Sequence, residues 1–184
     1  MPRLTIGALL LIAGPALAEE NPPALPTNDV DVTYVMPMQA GAARQRLRFS
    51  AAHGLLRLDP PGGGLFIVID TMAGRMYTVR AADRSVIGMA APRSWMPGLG
   101  AATYVRRNPD VVAGTACTDW ETKDSEGRPV RACITADGVM LRAALGARVL
   151  VVATELRHEP QAAPLFQVPQ NYRRLAPPPI PDAQ

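Results

Sequence analysis

Residues that usually carry chemistry are scarce in this chain. There are two histidines and two cysteines among 184 residues. A structural zinc site needs four ligands, and no C-x-x-C or paired histidine supplies them. A thioredoxin-like centre needs close C-x-x-C spacing, which is also missing. There is no G-x-S-x-G and no metalloprotease motif, and Gly62-Gly63-Gly64 is not followed by Lys-Ser/Thr. His53 falls in the turn-like AAHG, and His158 ends a strand-like run before Glu159-Pro160. The chain therefore reads as no enzyme, with no catalytic residue, no cofactor and no metal. Aromatics make up 5% and the formal net charge is +3. Without an interleaved basic and aromatic module, nucleic acid is excluded as a partner. Beyond the first eighteen positions no apolar run reaches about eighteen residues, so the mature chain has no transmembrane segment.

What is present begins with an export signal. Arg3 is followed by an apolar run, Leu4 to Ala13, and Ala16 and Ala18 form an A-x-A site before Glu19. Residues 1–18 read as a cleaved signal peptide, which places the product in the periplasm. The proline-rich segments 19–29 and 176–184 read as disordered tails. The stretch 30–175 suffices for one sizeable core and is too short for two typical domains.

Export makes oxidation the default for Cys117 and Cys133. The segments around DSEG alternate like a hairpin. A loop centred on Ser125 sets Cys117 opposite Cys133, Asp119 opposite Arg131, Trp120 opposite Val130, Thr118 opposite Ala132 and Ala116 opposite Ile134. The cysteines are expected to form a cross-strand disulfide. Asp137-Gly138 signals the next hairpin, pairing Ile134 with Leu141, Ala132 with Ala143 and Val130 with Leu145. LGAR at 145–148 turns the chain again. The following strand places Leu150, Val152, Thr154 and Leu156 on the shared face.

The N-terminal half also alternates. VDVTYVM (30–36) and RQRLRFS (44–50) read as strands, and LLRLD (55–59) answers the second with Phe49 opposite Leu56 and Leu47 opposite Leu58. That register also opposes Arg48 and Arg57. LFIVID (65–70), RMYTVR (75–80) and RSVIGM (84–89) continue the series. Segment 91–110 is punctuated by prolines and glycines. It reads as a long connection across the sheet, a candidate lid with a helical turn in AATYVRR. The three basic residues of RQRLR read as a solvated edge, or as a contact for anionic head groups or other polyanions.

The ordered set VTYVM, IDTMAGRMYTV, AGTACTDWE, ACITADGVMLRA, VVATEL and PLFQVPQNYRRL resembles the LolA-like lipoprotein-carrier superfamily, especially its small exported members of unknown function. The resemblance spans 28–175. It implies a mainly β fold: a strongly curved antiparallel sheet of about nine to eleven strands, an unclosed half-barrel. Short helical or loop elements would cross its concave side, which in the carriers shelters acyl chains of lipoproteins.

The leading expectation is a non-enzymatic periplasmic binding or carrier domain for a lipid or lipoprotein acyl chain. Its candidate hydrophobic groove is Leu47, Phe49, Leu56, Leu58, Ile67, Ile69, Trp120 and Leu141. The alternative is an interaction or sensing module for another envelope protein. A third reading takes Met36 and Met38, at i and i+2, as soft copper ligands joined by Met72, Met76 and Met89. Gap-filling in an apolar core is the ordinary use of such methionines.

Overall fold

A computed structural model describes residues 21–39, 41–92, 103–124 and 126–177. The signal peptide read at 1–18, residues 93–102 of the expected connection, the loop centre Ser125 and the tail beyond 177 lie outside the described residues. Twelve strands form one unclosed, curved sheet. In chain order they are β1 (Val30–Met38), β2 (Gly41–Ser50), β3 (Leu55–Asp59), β4 (Leu65–Asp70), β5 (Arg75–Arg80) and β6 (Ser85–Ala90). They continue as β7 (Val105–Val112), β8 (Thr115–Lys123), β9 (Pro129–Ile134), β10 (Met140–Leu145), β11 (Arg148–Arg157) and β12 (Arg173–Leu175). The strand order is β12-β6-β5-β4-β3-β2-β1-β11-β10-β9-β8-β7. Two antiparallel meanders, β1–β6 and β7–β11, thus meet at one seam between β1 and β11. The sheet is mixed, because β12 joins β6 in parallel.

The first meander follows a ten-residue cadence. Strands β3 to β6 begin at 55, 65, 75 and 85, and each follows a residue with positive φ: Gly54 (59°), Gly64 (70°), Gly74 (63°) and Arg84 (49°). Glycine suits this left-handed conformation because a Cβ crowds the following carbonyl. The carbonyls of Gly54, Gly64 and Gly74 accept the N–H groups of Thr71, Ala81 and Ala91, each two turns further on. The fourth, that of Arg84, accepts the N–H of Arg173 at 2.9 Å, at the start of β12.

Alternation builds one main core. Val30, Val32, Tyr34, Leu47, Phe49, Leu56 and Ile69 pack with Trp120, Ala132, Ile134, Leu141, Ala143, Val151 and Ala153. The expected pairs Phe49–Leu56 and Leu47–Leu58 are in place, as is Arg48 opposite Arg57. Asp59 relieves the like-charge pair, lying 3.2 Å from Arg48 and 2.7 Å from Arg57.

Four local expectations are corrected. The β8–β9 register is two residues from the expected one: Asp119 opposes Cys133, Trp120 opposes Ala132, Glu121 opposes Arg131 and Thr118 opposes Ile134. A two-residue slip keeps every side chain on its face, so Trp120 and the cysteines still point to opposite faces. In β10 an irregularity between Met140 and Arg142 sets Ile134 against Met140 rather than Leu141, while Ala132–Ala143 and Val130–Leu145 hold. In β11, Val32 opposes Leu156 but Tyr34 opposes Ala153, so a bulge flips the alternation. Val151 and Ala153 are buried as a result, and Thr154 is exposed. Lastly, 105–112 is strand β7 at the sheet edge, where a connection with a helical turn was expected.

Residues 21–29, expected as a disordered tail, make defined contacts in the structure. The Thr27 N–H donates to the Asp137 carbonyl at 2.9 Å, and Leu25 packs against the core. Gly138, with φ of 89°, lies so close beneath this segment that a Cβ there would come within 2.6 Å of the Leu25 carbonyl oxygen. The C-terminal segment crosses the face that carries Arg57. Its one 3-10 turn, Ala163–Phe166, lies against β3 with Phe166 buried, and the Leu165 carbonyl accepts from Arg57 at 2.8 Å.

Candidate functional site

The eight residues read as a groove are brought to one place. Leu47, Phe49, Leu56, Leu58, Ile69, Trp120 and Leu141 are buried members of the main core, and Ile67 packs against it half-exposed. β2, β3 and β4 supply the first six by strict alternation, and the second meander supplies Trp120 and Leu141. The Trp120 ring meets Tyr104 edge-on, with centroids 6.2 Å apart, and the Arg106 guanidinium sits 5.9 Å from its centroid.

The Cys117–Cys133 disulfide is present, with a Cα–Cα separation of 5.5 Å. In the observed register it runs diagonally between neighbouring strands. Asp110, Asp119 and Cys133 lie close together beside it. Cys133 is committed to the disulfide, and one guanidinium nitrogen of Arg142 donates to Asp110 at 2.7 Å and to Asp119 at 3.0 Å. The group is thus an ion cluster, one guanidinium shared by two carboxylates, tying β7, β8 and β10 together.

The methionines are spread across the sheet. Met36 and Met76 pack against the core, whereas Met38 and Met72 are exposed. Met36 on β1 and Met76 on β5 are separated by three strands of the sheet. Met76 and Met89 are direct cross-strand partners.

The face opposite the core strand residues of β1 and β2 is charged. Asp31, Thr33, Arg46, Glu155 and Arg157 line a polar cleft of about 200 Å³. Asp31 is only 5% exposed and accepts from Arg46 Nε at 2.8 Å. Arg48 lies beside it. Burial pulls its guanidinium below the usual arginine range against the attraction of Asp59, and its buried Nε, 3.9 Å from Asp31, has no hydrogen-bond partner among the described residues. Within RQRLR, Arg46 and Arg48 therefore join an ion network with Asp31 and Asp59, while Arg44 is exposed.

His158 has an acidic partner that the sequence hid. Its Nε2 lies 2.8 Å from Asp137 in the β9–β10 turn, where Thr135 and Asn28 also reach the same carboxylate. Burial pushes the Asp137 carboxyl up, but the hydrogen bonds from Thr135, His158 and Asn28 outweigh it and hold the carboxyl below the ordinary range. A depressed folded-state pKa stabilises the fold above the unfolded value, and that contribution is lost as pH falls through the folded one. Thermal melts of wild type and Asp137→Asn should therefore differ at neutral pH, and the difference should shrink as pH falls below the ordinary carboxylate value of about 4. A constant difference across that window would remove Asp137 as the source. His53 is held separately, its Nδ1 3.1 Å from the Ser50 hydroxyl.

One feature escaped sequence reasoning. Arg84 takes the place of glycine in the ten-residue cadence and stacks its guanidinium 5.6 Å from the Tyr172 ring centroid. AADR following AAHG and TMAG was the available signal.

No family model matches the chain, and no curated protein matches its sequence. Solved structures do match. An uncharacterized conserved protein from Thermus thermophilus superposes with a TM-score of 0.61 at 13% identity, over 82% of this chain and 91% of that one. MucB superposes with a TM-score of 0.56 at 15% identity, over 82% of this chain and 60% of MucB. The MucA/MucB complex of Pseudomonas aeruginosa gives a TM-score of 0.55 at 17% identity, over 82% and 59%. The chain thus spans about three fifths of MucB's length. At these identities the likeness concerns the fold.

Proposed function

We propose that this chain is a non-enzymatic periplasmic binding domain of LolA-like fold, and that its ligand is another envelope protein. The observation that carries this reading is the burial of the candidate groove. Seven of its eight residues are buried among the described residues, so a ligand arriving there meets charged surface and strand edges before it meets these side chains. MucB, similar in fold, has been solved in complex with MucA(peri). The disulfide fits an oxidising compartment, and the signal-like N-terminus agrees with it.

A second reading keeps the lipid or lipoprotein acyl chain as ligand. It is favoured by the contiguity of the eight apolar residues in one cluster, which would have to open to admit a chain. Native mass spectrometry of protein purified from its own periplasm, with parallel lipid extraction, separates the two. A copurifying polypeptide is the expected result. A stoichiometric lipid without any polypeptide would replace this reading with the carrier.

A further inference from the structure

We propose that the β12 edge of the sheet, with Arg84, Arg173 and Arg174, docks an extended acidic segment of a partner protein as an added strand. The inference rests on the protein-partner reading above and names the chemistry of that partner.

The first observation is a residue in the wrong conformation for its type. Positions 54, 64 and 74 solve the same turn with glycine, and position 84 solves it with arginine at φ of 49°. A non-glycine residue there carries backbone strain. Such strain persists where the surroundings hold it, and here they do. The Arg84 carbonyl takes the Arg173 N–H, and its guanidinium stacks on Tyr172. The side chain is thereby fixed beside the last strand of the sheet.

The second observation is uncompensated charge. Arg84, Arg173 and Arg174 are all exposed, and none forms an ion pair among the described residues. The neighbouring acid, Asp83, is engaged by Ser85 at 2.6 Å and by Arg80 at 3.1 Å, and Arg173 adds only a through-space attraction to it. Elsewhere on the sheet, Arg46, Arg57, Arg107, Arg128, Arg131, Arg142 and Arg157 each have a carboxylate, and the exposed arginines outside any ion pair among the described residues, Arg44, Arg75, Arg106 and Arg148, sit singly on four different strands. Three guanidinium groups without a carboxylate, on one edge, form a site for carboxylates.

The third observation selects an extended peptide over a membrane. β12 is the terminal strand among the described residues, and its outer N–H and C=O groups have no strand partner among them. Arg173 and Arg174 are successive strand residues, set opposite Ser85 and Val86, and so project to opposite faces. A strand laid along this edge meets a guanidinium on each side. A flat anionic surface meets one face at a time.

The test uses the purified full chain and fluorescence anisotropy with a labelled Glu-Val octapeptide, Glu-Glu-Val-Val repeated twice, which places carboxylates on both faces of a strand. A Lys-Val octapeptide and phosphatidylglycerol vesicles serve as competing probes. We expect the Glu-Val peptide alone to bind, about fivefold more weakly to Arg174→Gln and about threefold more weakly to Arg84→Gly. Arg84→Gly keeps the fold, since glycine suits that φ, and its melting temperature verifies this. Arg148→Gln, an exposed arginine outside any ion pair among the described residues, is the charge control and should bind like wild type. An equal loss in Arg148→Gln, no peptide binding, or binding to vesicles alone would each overturn the proposal. If a copurifying polypeptide holds Arg84→Gly/Arg174→Gln as tightly as wild type, this edge falls and the protein-partner reading stands. If no polypeptide copurifies with wild type, that reading itself falls.

Discussion

Trp120→Ala should destabilise the fold by about 3–5 kcal/mol, the largest single-residue effect expected here. The indole is 7% exposed, opposes Ala132 across the β8–β9 ladder, and is met edge-on by Tyr104. Truncation removes apolar area and leaves a cavity that small neighbours such as Ala132 and Ala143 cannot fill. Trp120→Phe keeps a ring against Tyr104 and should lose about half as much. Urea denaturation followed by circular dichroism checks both variants. A Trp120→Ala protein with wild-type stability would mean that the second meander does not bury this face.

Cys117→Ala/Cys133→Ala should fold and lose about 2–4 kcal/mol. The bridge spans a sequence separation of 16, and most of its contribution comes from restricting the unfolded chain. Thiol titration of denatured, unreduced wild type should find no free thiol. Two free thiols in protein prepared without reductant would remove the bridge. The two experiments probe opposite faces of one hairpin, because Trp120 and the cysteines lie on different sides of β8. Their effects should therefore add to within about 0.5 kcal/mol if the sites are independent.

Both faces of β8 were legible before any coordinates, although its exact register was not. Alternation alone decides faces, and a slip of two residues is invisible to it. The turn decides register, and DSEG allows more than one closure. The β11 face was misassigned for the converse reason. A bulge inserts one residue into VLVVATEL, and no apolar pattern marks where. β7 was missed because Pro109 and the surrounding charges argue against a strand interior. An edge strand tolerates both, and the VRRNPDVV segment is the edge. The apolar residues proposed as a groove lie in one cluster. Sequence periodicity gives no measure of whether such a face stays open or closes on itself. The β12 edge was illegible for another reason. Its parallel pairing joins residues 173–175 to 85–87, and no local pattern encodes a partner that distant.

The β1–β11 seam bears on how this protein reaches its native state. Every other antiparallel pair joins strands adjacent in the chain, so each meander can zip from its own turns. The seam instead joins Asp31 to Arg157 and Val35 to Val152, nearly the length of the domain apart. Closing so long a loop raises the entropy barrier and slows folding. Until that happens, β1 and β11 are unpaired edges with apolar residues, the kind of surface on which chains aggregate. The Tyr34 hydroxyl, donating to the Met140 carbonyl at 2.6 Å, is one link across that seam. Delivered N-terminus first, β1 emerges long before β11, so the order of emergence leaves its edge open until residues 148–157 have followed.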